Sequence, residues 1–270
     1  MKGKDALLLT VKISLIAQVF AFIIQLRGFF IKLDPRDIVL KDVLIMETLV
    51  QIIEGAWYVW IAYALKGLKN DTIAGRRYMD WVITTPVMLI QTVLLMAYFT
   101  SNKFNSNKKD EETPLTTKQV LTENKDSIIK IVIYNFLMLV FGYLAETKRI
   151  DKSFAIPAGF IFFFLTFREI WDKFALTNKS KNLFYGMASI WSLYGVAAGL
   201  DVITKNVMYN ILDIISKNFY GLYVLYEILM VAQKRKNISS FKNKKKRVSK
   251  SDKLSPDILN KTQSFQSLLS

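Results

Sequence analysis

Asn210-Ile-Leu-Asp213-Ile-Ile-Ser-Lys217-Asn-Phe-Tyr220 is the stretch on which the reading of this chain turns. It lies inside an apolar run near 207–231, about long enough to cross a bilayer core as a helix. Asp213 and Lys217 are four residues apart, a spacing that puts both side chains on one helix face. A lysine ammonium deep in hydrocarbon is costly, so its presence there marks a functional site by default. Lysine is also the side chain that condenses with an aldehyde to form a Schiff base. Taken alone, the pair fits a plain buried ion pair equally well.

Six more runs of the same kind lie upstream, near 7–27, 43–65, 78–100, 127–146, 154–174 and 184–204. A chain of 270 residues, 52% hydrophobic, could also bury a soluble core, so length decides little and distribution decides more. Seven spans leave almost no room for a separate soluble domain. The expected fold is an all-α membrane protein, a seven-transmembrane helix bundle over residues 1–232. Residues 233–270 are expected to form a basic, disordered tail. Several spans hold charged residues and would score as marginal by hydropathy alone. The first residues, Met1 to Asp5, carry no cleavage-site pattern, so the first run is read as a retained helix.

Charge sets the expected orientation. Of the formal charge of +15, the larger share of Lys and Arg falls on odd-numbered links and on the tail, including Lys234 to Lys236 and Lys242 to Arg247. The positive-inside rule then places the N-terminus outside and the C-terminus in the cytoplasm. The basic tail suits anionic lipid headgroups, and a nucleic-acid partner is not expected. Pro114 to Leu121, in the lysine-rich third link, reads as a short helix. With no cysteine and no histidine, disulfides, thiolate sites and the commonest metal ligand are excluded, and no metal site is expected. No nucleotide loop or nucleophile triad is visible, so the chain is not read as an enzyme.

The third run carries the second deciding motif, Arg77-Tyr-Met-Asp80-Trp81-Val-Ile-Thr84-Thr85-Pro86. A protonated imine in low dielectric needs compensating negative charge, which Asp80 and Asp213 supply. Arg77 offsets an excess of that charge. Thr84, four residues after Asp80, is expected to hydrogen-bond the Asp80 carboxylate.

With RRYMDWVITTP and LDIISKNF in place, the chain resembles the microbial (type 1) rhodopsins over roughly residues 5–231. The resemblance implies all-trans retinal held on Lys217 as a Schiff base. It makes Asp80 the primary counterion and proton acceptor, Asp213 the second counterion, and Arg77 and Thr84 their partners. It also implies a retinal pocket of Trp81, Thr85, Met138, Gly142, Phe154, Pro157, Trp191 and Tyr194. Gly195 and Ala198 stand where many relatives carry proline and tryptophan, which enlarges or softens that pocket.

Three activities follow from the resemblance. Gln91 stands where an efficient proton pump carries an acid, and an amide donates no proton at physiological pH. Glu47 and Glu54 are two helical turns apart on one face, and intramembrane carboxylates usually face a bundle interior or a water-filled path. Together with Ser14, Gln18, Asn206 and Asn210 they resemble the ion path of the group 1 viral rhodopsins, which are light-gated cation channels. A carboxylate-lined path favours small cations over anions. The expected activity is therefore a light-gated cation channel, with proton transfer to Asp80 on illumination. A slow outward proton pump is the alternative and a sensory rhodopsin the third reading. Lys205 departs from the acid expected beside Asn206, and its positive charge would oppose cation passage. A homo-oligomer and a virus-encoded origin, with expression in a host membrane, are compatible with the sequence.

Overall fold

In the computed structural model, residues 2–64, 70–105 and 114–240 are described. The helices are α1 (Lys2–Phe30), α2 (Val39–Ala64), α3 (Asn70–Asn105), α4 (Thr117–Glu123), α5 (Lys125–Glu146), α6 (Lys152–Phe174), α7 (Asn178–Ala198) and α8 (Val202–Ser240). A 3₁₀ turn, Pro35–Asp37, joins α1 to α2, and α8 passes through a π-helical segment at Ile214–Phe219. No strand occurs among the described residues.

Seven of these helices close a ring. Each packs on the next in the order α1, α2, α3, α5, α6, α7, α8, and α8 returns to α1. Helix α3 also touches α7 and α8, which puts its middle at the centre of the bundle. Six of the helices are long and apolar enough to cross a bilayer. Helix α7 completes the ring with a polar start, Asn178-Lys-Ser-Lys-Asn182, the marginal case that hydropathy would miss.

The distribution of side chains is inverted relative to a water-soluble bundle. Phe20, Phe164 and Tyr63 point outward, whereas Glu47, Glu54, Arg77, Asn206 and Asn210 are fully buried. Lipid tails solvate the outer ring, so there is no gain in hiding it. The polar groups instead find one another inside, as intramembrane charges must.

The last two spans are displaced most from their expected positions. The sixth helix is Asn178–Ala198, not 184–204, and the seventh begins at Val202, not 207. The cause is capping. Thr177 accepts from the Ser180 N–H at 3.0 Å and starts α7 early. Asp201 accepts from the Ile203 and Thr204 N–H groups at 3.0 and 3.1 Å and starts α8 inside what reads as the end of an apolar run. At the far end α8 stays helical to Ser240, eight residues past the boundary drawn from composition. The basic run Lys242 to Arg247 and the rest of the tail lie outside the described residues. The short helix expected at Pro114 to Leu121 forms one turn later, as α4 capped by Thr116.

Candidate functional site: a buried lysine among three carboxylates

The π segment of α8 widens the helix by one residue per turn at Lys217, and such bulges concentrate at functional sites. It aims the Lys217 side chain, 2% exposed, into the middle of the bundle. Its Nζ lies 2.9 Å from Asp213 Oδ1, 2.9 Å from Glu54 Oε1 and 3.8 Å from Asp80 Oδ2. The two strongest motifs therefore do converge. Glu54 is the surprise, because the sequence placed it on an ion path and its position is beside the lysine nitrogen.

Arg77 closes the other side of Asp213. Its Nη1 is 3.1 Å from Asp213 Oδ2, its Nε is 3.3 Å from Asn206 Oδ1, and its Nη2 donates to Asn210 Oδ1. Tyr58 donates to Asp213 Oδ2 at 2.7 Å, and Tyr194 donates to Asp213 Oδ1 at 2.8 Å. Two cations thus face three carboxyl groups, all inside the bundle, and each charge has an opposite neighbour within reach. Removing one partner of such a set costs far more than the set itself contributes.

Sequence reasoning missed Tyr58. It is one turn beyond Glu54 on the face that also carries Glu47 and Gln51, and that spacing was the available signal. Thr84 corrects an expectation. Its hydroxyl donates to the Asp80 main-chain oxygen at 3.1 Å, the usual back-bond of a helical threonine, and does not reach the carboxylate. Asp80 Oδ1 is left without a protein partner, as is Glu54 Oε2.

A cavity opens beside Lys217, with about 800 Å³ of space including its mouth. Trp81, Thr85, Met138, Gly142, Trp191 and Tyr194 all line it, and Gly195 and Ala198 are in its wall. Phe154 and Pro157 are not. Phe154 is 62% exposed and meets Phe141 on the outer surface, and Pro157 is exposed as well. The inward stripe of α6 is Ala155, Ile156, Gly159, Phe160 and Phe163, a register set by helical spacing that a residue-by-residue likeness did not capture. Phe160 packs directly over Gly195, where an added Cβ would come within 2.5 Å of the ring, so part of the space released by the missing proline is filled. Asn135 donates to Thr85 Oγ1 at 2.8 Å and ties α5 to α3 at the cavity wall.

The seam between α1, α2 and α8 gathers the remaining polar residues. Ser14 donates to the Asn210 carbonyl at 3.0 Å, and Asn210 donates to Thr10 at 2.8 Å. Glu47 accepts from Gln91 and, at 3.3 Å, from Gln51. The amides of Gln18, Gln25 and Asn218 are buried with neither polar atom hydrogen-bonded to protein. Lys205 is not a free positive charge: its Nζ is 2.7 and 2.6 Å from the two oxygens of Glu146.

Comparison with known proteins agrees with this geometry. The profile of the family described as Bacteriorhodopsin-like protein matches residues 7–231, and the chain belongs to that family of microbial rhodopsins. Its members bind retinal through a Schiff base to a lysine. The chain is 22% identical over 184 residues to a green-light absorbing proteorhodopsin from the gamma-proteobacterium EBAC31A08, covering 62% of this chain and 63% of the relative's length. It is 24% identical over 213 residues to a bacteriorhodopsin-II-like protein of Haloquadratum walsbyi, covering 71% of this chain and 78% of that one. Among solved structures, viral rhodopsin OLPVRII superposes with a TM-score of 0.69 at 24% identity, over 86% of this chain and 99% of that one. Xanthorhodopsin, a light-driven ion pump with dual chromophore, gives 0.64 at 17% identity, over 88% and 97%. At these identities the superpositions establish the fold. The cavity suits the cofactor on its own terms: an apolar, aromatic-walled slot ends at a single buried lysine whose charge is already matched by acids.

Proposed function

We propose that this chain is a light-gated cation channel in which Lys217 carries retinal and Asp80 accepts a proton on illumination. Retinal, when bound, supplies absorption of visible light and a bond rotation that changes the shape of the site. The residues around it do the rest. Trp81, Trp191 and Tyr194 line the cavity walls, and Asp213, held by contacts from Arg77 and Tyr58, faces Lys217 Nζ. Asp80 Oδ2, at 3.8 Å, is the oxygen that would receive a proton from that nitrogen.

The observation that carries the channel reading is the polar seam of α1, α2 and α8. Buried amides without protein partners are rare in folded proteins, and ordered water satisfies them where they occur. Gln18 on α1, Gln51 on α2 and Asn218 on α8 each leave a polar atom unmatched, and Gln51 donates to Glu47 at 3.3 Å. A chain of waters along these groups, widened when the contacts of Lys217 change, is a cation path. Glu54 is both a lining group and a partner of Lys217, which couples the photochemical centre directly to the path. With the N-terminus outside, Lys205 and Glu146 stand at the outer mouth as a neutral pair, so the lysine does not repel incoming cations.

Whole-cell voltage clamp under illumination, with retinal supplied and ions varied on each side, tests this. A reversal potential that follows the cation gradient is expected. The pump is the second reading, favoured by Asp80 near Lys217 Nζ. A small outward current that never reverses would establish it and return the seam to structural packing.

A further inference from the structure

Gln25 lies two turns beyond Gln18 along α1, toward the end taken here as cytoplasmic. It is 1% exposed, and neither its Nε2 nor its Oε1 is hydrogen-bonded to protein. Its amide head lies against Gly221, one turn beyond Lys217 on α8. A Cβ added at Gly221 would stand 2.5 Å from Gln25 Oε1 and closer still to Nε2. The amide therefore occupies the space that any other residue at 221 would fill with its own side chain.

The next layer is apolar. Gly28 follows Gln25 on α1, and a Cβ there would meet Leu44 at 2.5 Å, Leu225 at 3.2 Å and Ile228 at 3.7 Å. Leu44 and Ile228 are 0% exposed and Leu225 is 5% exposed. On the far side of this layer, Lys41 donates to the Gly28 carbonyl and, at 2.8 Å, to that of Phe29 at the end of α1. One aliphatic layer thus separates a buried, unmatched amide from polar groups at the helix end. Such an amide holds water where no protein group meets it. A ring of aliphatic side chains does the reverse, and hydrophobic constrictions close ion paths by dewetting.

We propose that Leu44, Leu225 and Ile228, packed around Gly28, are the barrier that closes the cation path at its cytoplasmic end. Gln25, seated on Gly221, is the last group to hydrate a cation before that barrier. The inference rests on the channel reading of the seam. Leu225 and Ile228 stand on α8 beyond the π segment that carries Lys217, so a displacement of α8 there moves two of the three walls. Water then reaches from Gln25 to the Lys41 end.

Whole-cell recording on the full chain with retinal supplied tests the barrier, beginning with the parent. A parent current that never reverses overturns the channel reading and the barrier with it. In a parent that conducts, Leu225→Asn is close in volume and brings an amide into the aliphatic layer. A standing current in the dark, with the parent's reversal potential, is expected. Gln25→Leu extends the aliphatic layer by a turn and should lower the light-induced current about tenfold, the equivalent of one lost hydrogen bond to a charged species. Neither residue lines the retinal cavity, so the visible band and its bleaching by a flash should stay as in the parent. A dark current in Leu225→Asn no larger than the parent's, or a parental light current in Gln25→Leu, overturns the barrier and leaves the channel reading standing. If either variant yields no coloured protein, Leu225→Thr or Gln25→Met takes its place under the same criteria.

Discussion

Lys205→Met is the perturbation whose consequence the structure fixes most closely. The Lys205 side chain is 0% exposed, Glu146 is 6% exposed, and the ammonium reaches both carboxylate oxygens. Removing the lysine leaves an uncompensated buried anion, and breaking a buried pair from one side costs about 3–5 kcal/mol. At roughly 2–4 °C per kcal/mol for a chain of this size, the loss of the visible band on heating should move down by about 6–20 °C. The double variant Lys205→Met, Glu146→Leu removes both charges and should lie within about 1 kcal/mol of the parent, because well-packed apolar replacements of buried pairs are often neutral. The coupling between the two sites would then be about 3 kcal/mol or more, far above the ~1 kcal/mol of an exposed pair. Scans at one heating rate on purified protein in one detergent supply the comparison. If the single variant shifts by less than 2 °C and the double equals the sum of the singles, the pair is solvated and the reasoning fails. On the channel reading, the same single variant gains a negative charge at the outer mouth and should carry more inward cation current.

Three further outcomes follow from other contacts. Lys217→Ala should give a colourless protein, read from the absorption spectrum after retinal addition, since Lys217 is the one lysine lining the cavity. Gly142→Ala places a Cβ 2.5 Å from the Tyr78 hydroxyl oxygen and close to its ring carbons. The tyrosine ring must shift and carry Trp81, 5.0 Å away, with it, so the absorption maximum should move without loss of folding. Asp37→Ala strips Arg235 of contacts at 2.7 and 3.1 Å and the Tyr98 hydroxyl of one at 2.7 Å. It should cost about 1–3 kcal/mol in denaturant unfolding, the order expected for removing a buried carboxylate that accepts hydrogen bonds from a charged partner.

The parts of this molecule legible in the sequence are those governed by spacing within one helix. Asp213 and Lys217 share a face because four residues make about a turn, and that relation survives whatever surrounds it. Convergence of Asp80 on the same lysine was legible because each motif announces a charge in hydrocarbon, and buried charges must find partners. Contacts between helices were less legible. Glu54 and Glu47 read alike, yet one touches Lys217 and the other Gln91, since the lateral position of α2 against α3 and α8 depends on packing and not on its own sequence. Lys205 read as a charge opposing cation passage because its partner, Glu146, is 59 residues away on α5. Phe154 and Pro157 failed for a different reason: an aromatic and a proline look the same on the lipid face as on the cavity face of a membrane helix.

Glu54 links the retinal site to the proposed path, and its position narrows how gating could work. Its Oε1 is as close to Lys217 Nζ as Asp213 is, while its other oxygen has no protein partner. A carboxylate that loses the charge opposite it becomes costly to keep buried, by several kcal/mol, unless water or a cation reaches it. When Lys217 Nζ gives up its proton, Glu54 therefore gains a reason to draw water or a cation into the seam at the moment the path must open. Glu54→Gln removes that driving force while keeping the shape. On the channel reading, light should still bleach the visible band in this variant while the cation current falls sharply. A variant that conducts as the parent does, with the band shifted by the lost charge, would separate the photochemical role of Glu54 from conduction and move the gate elsewhere on the seam.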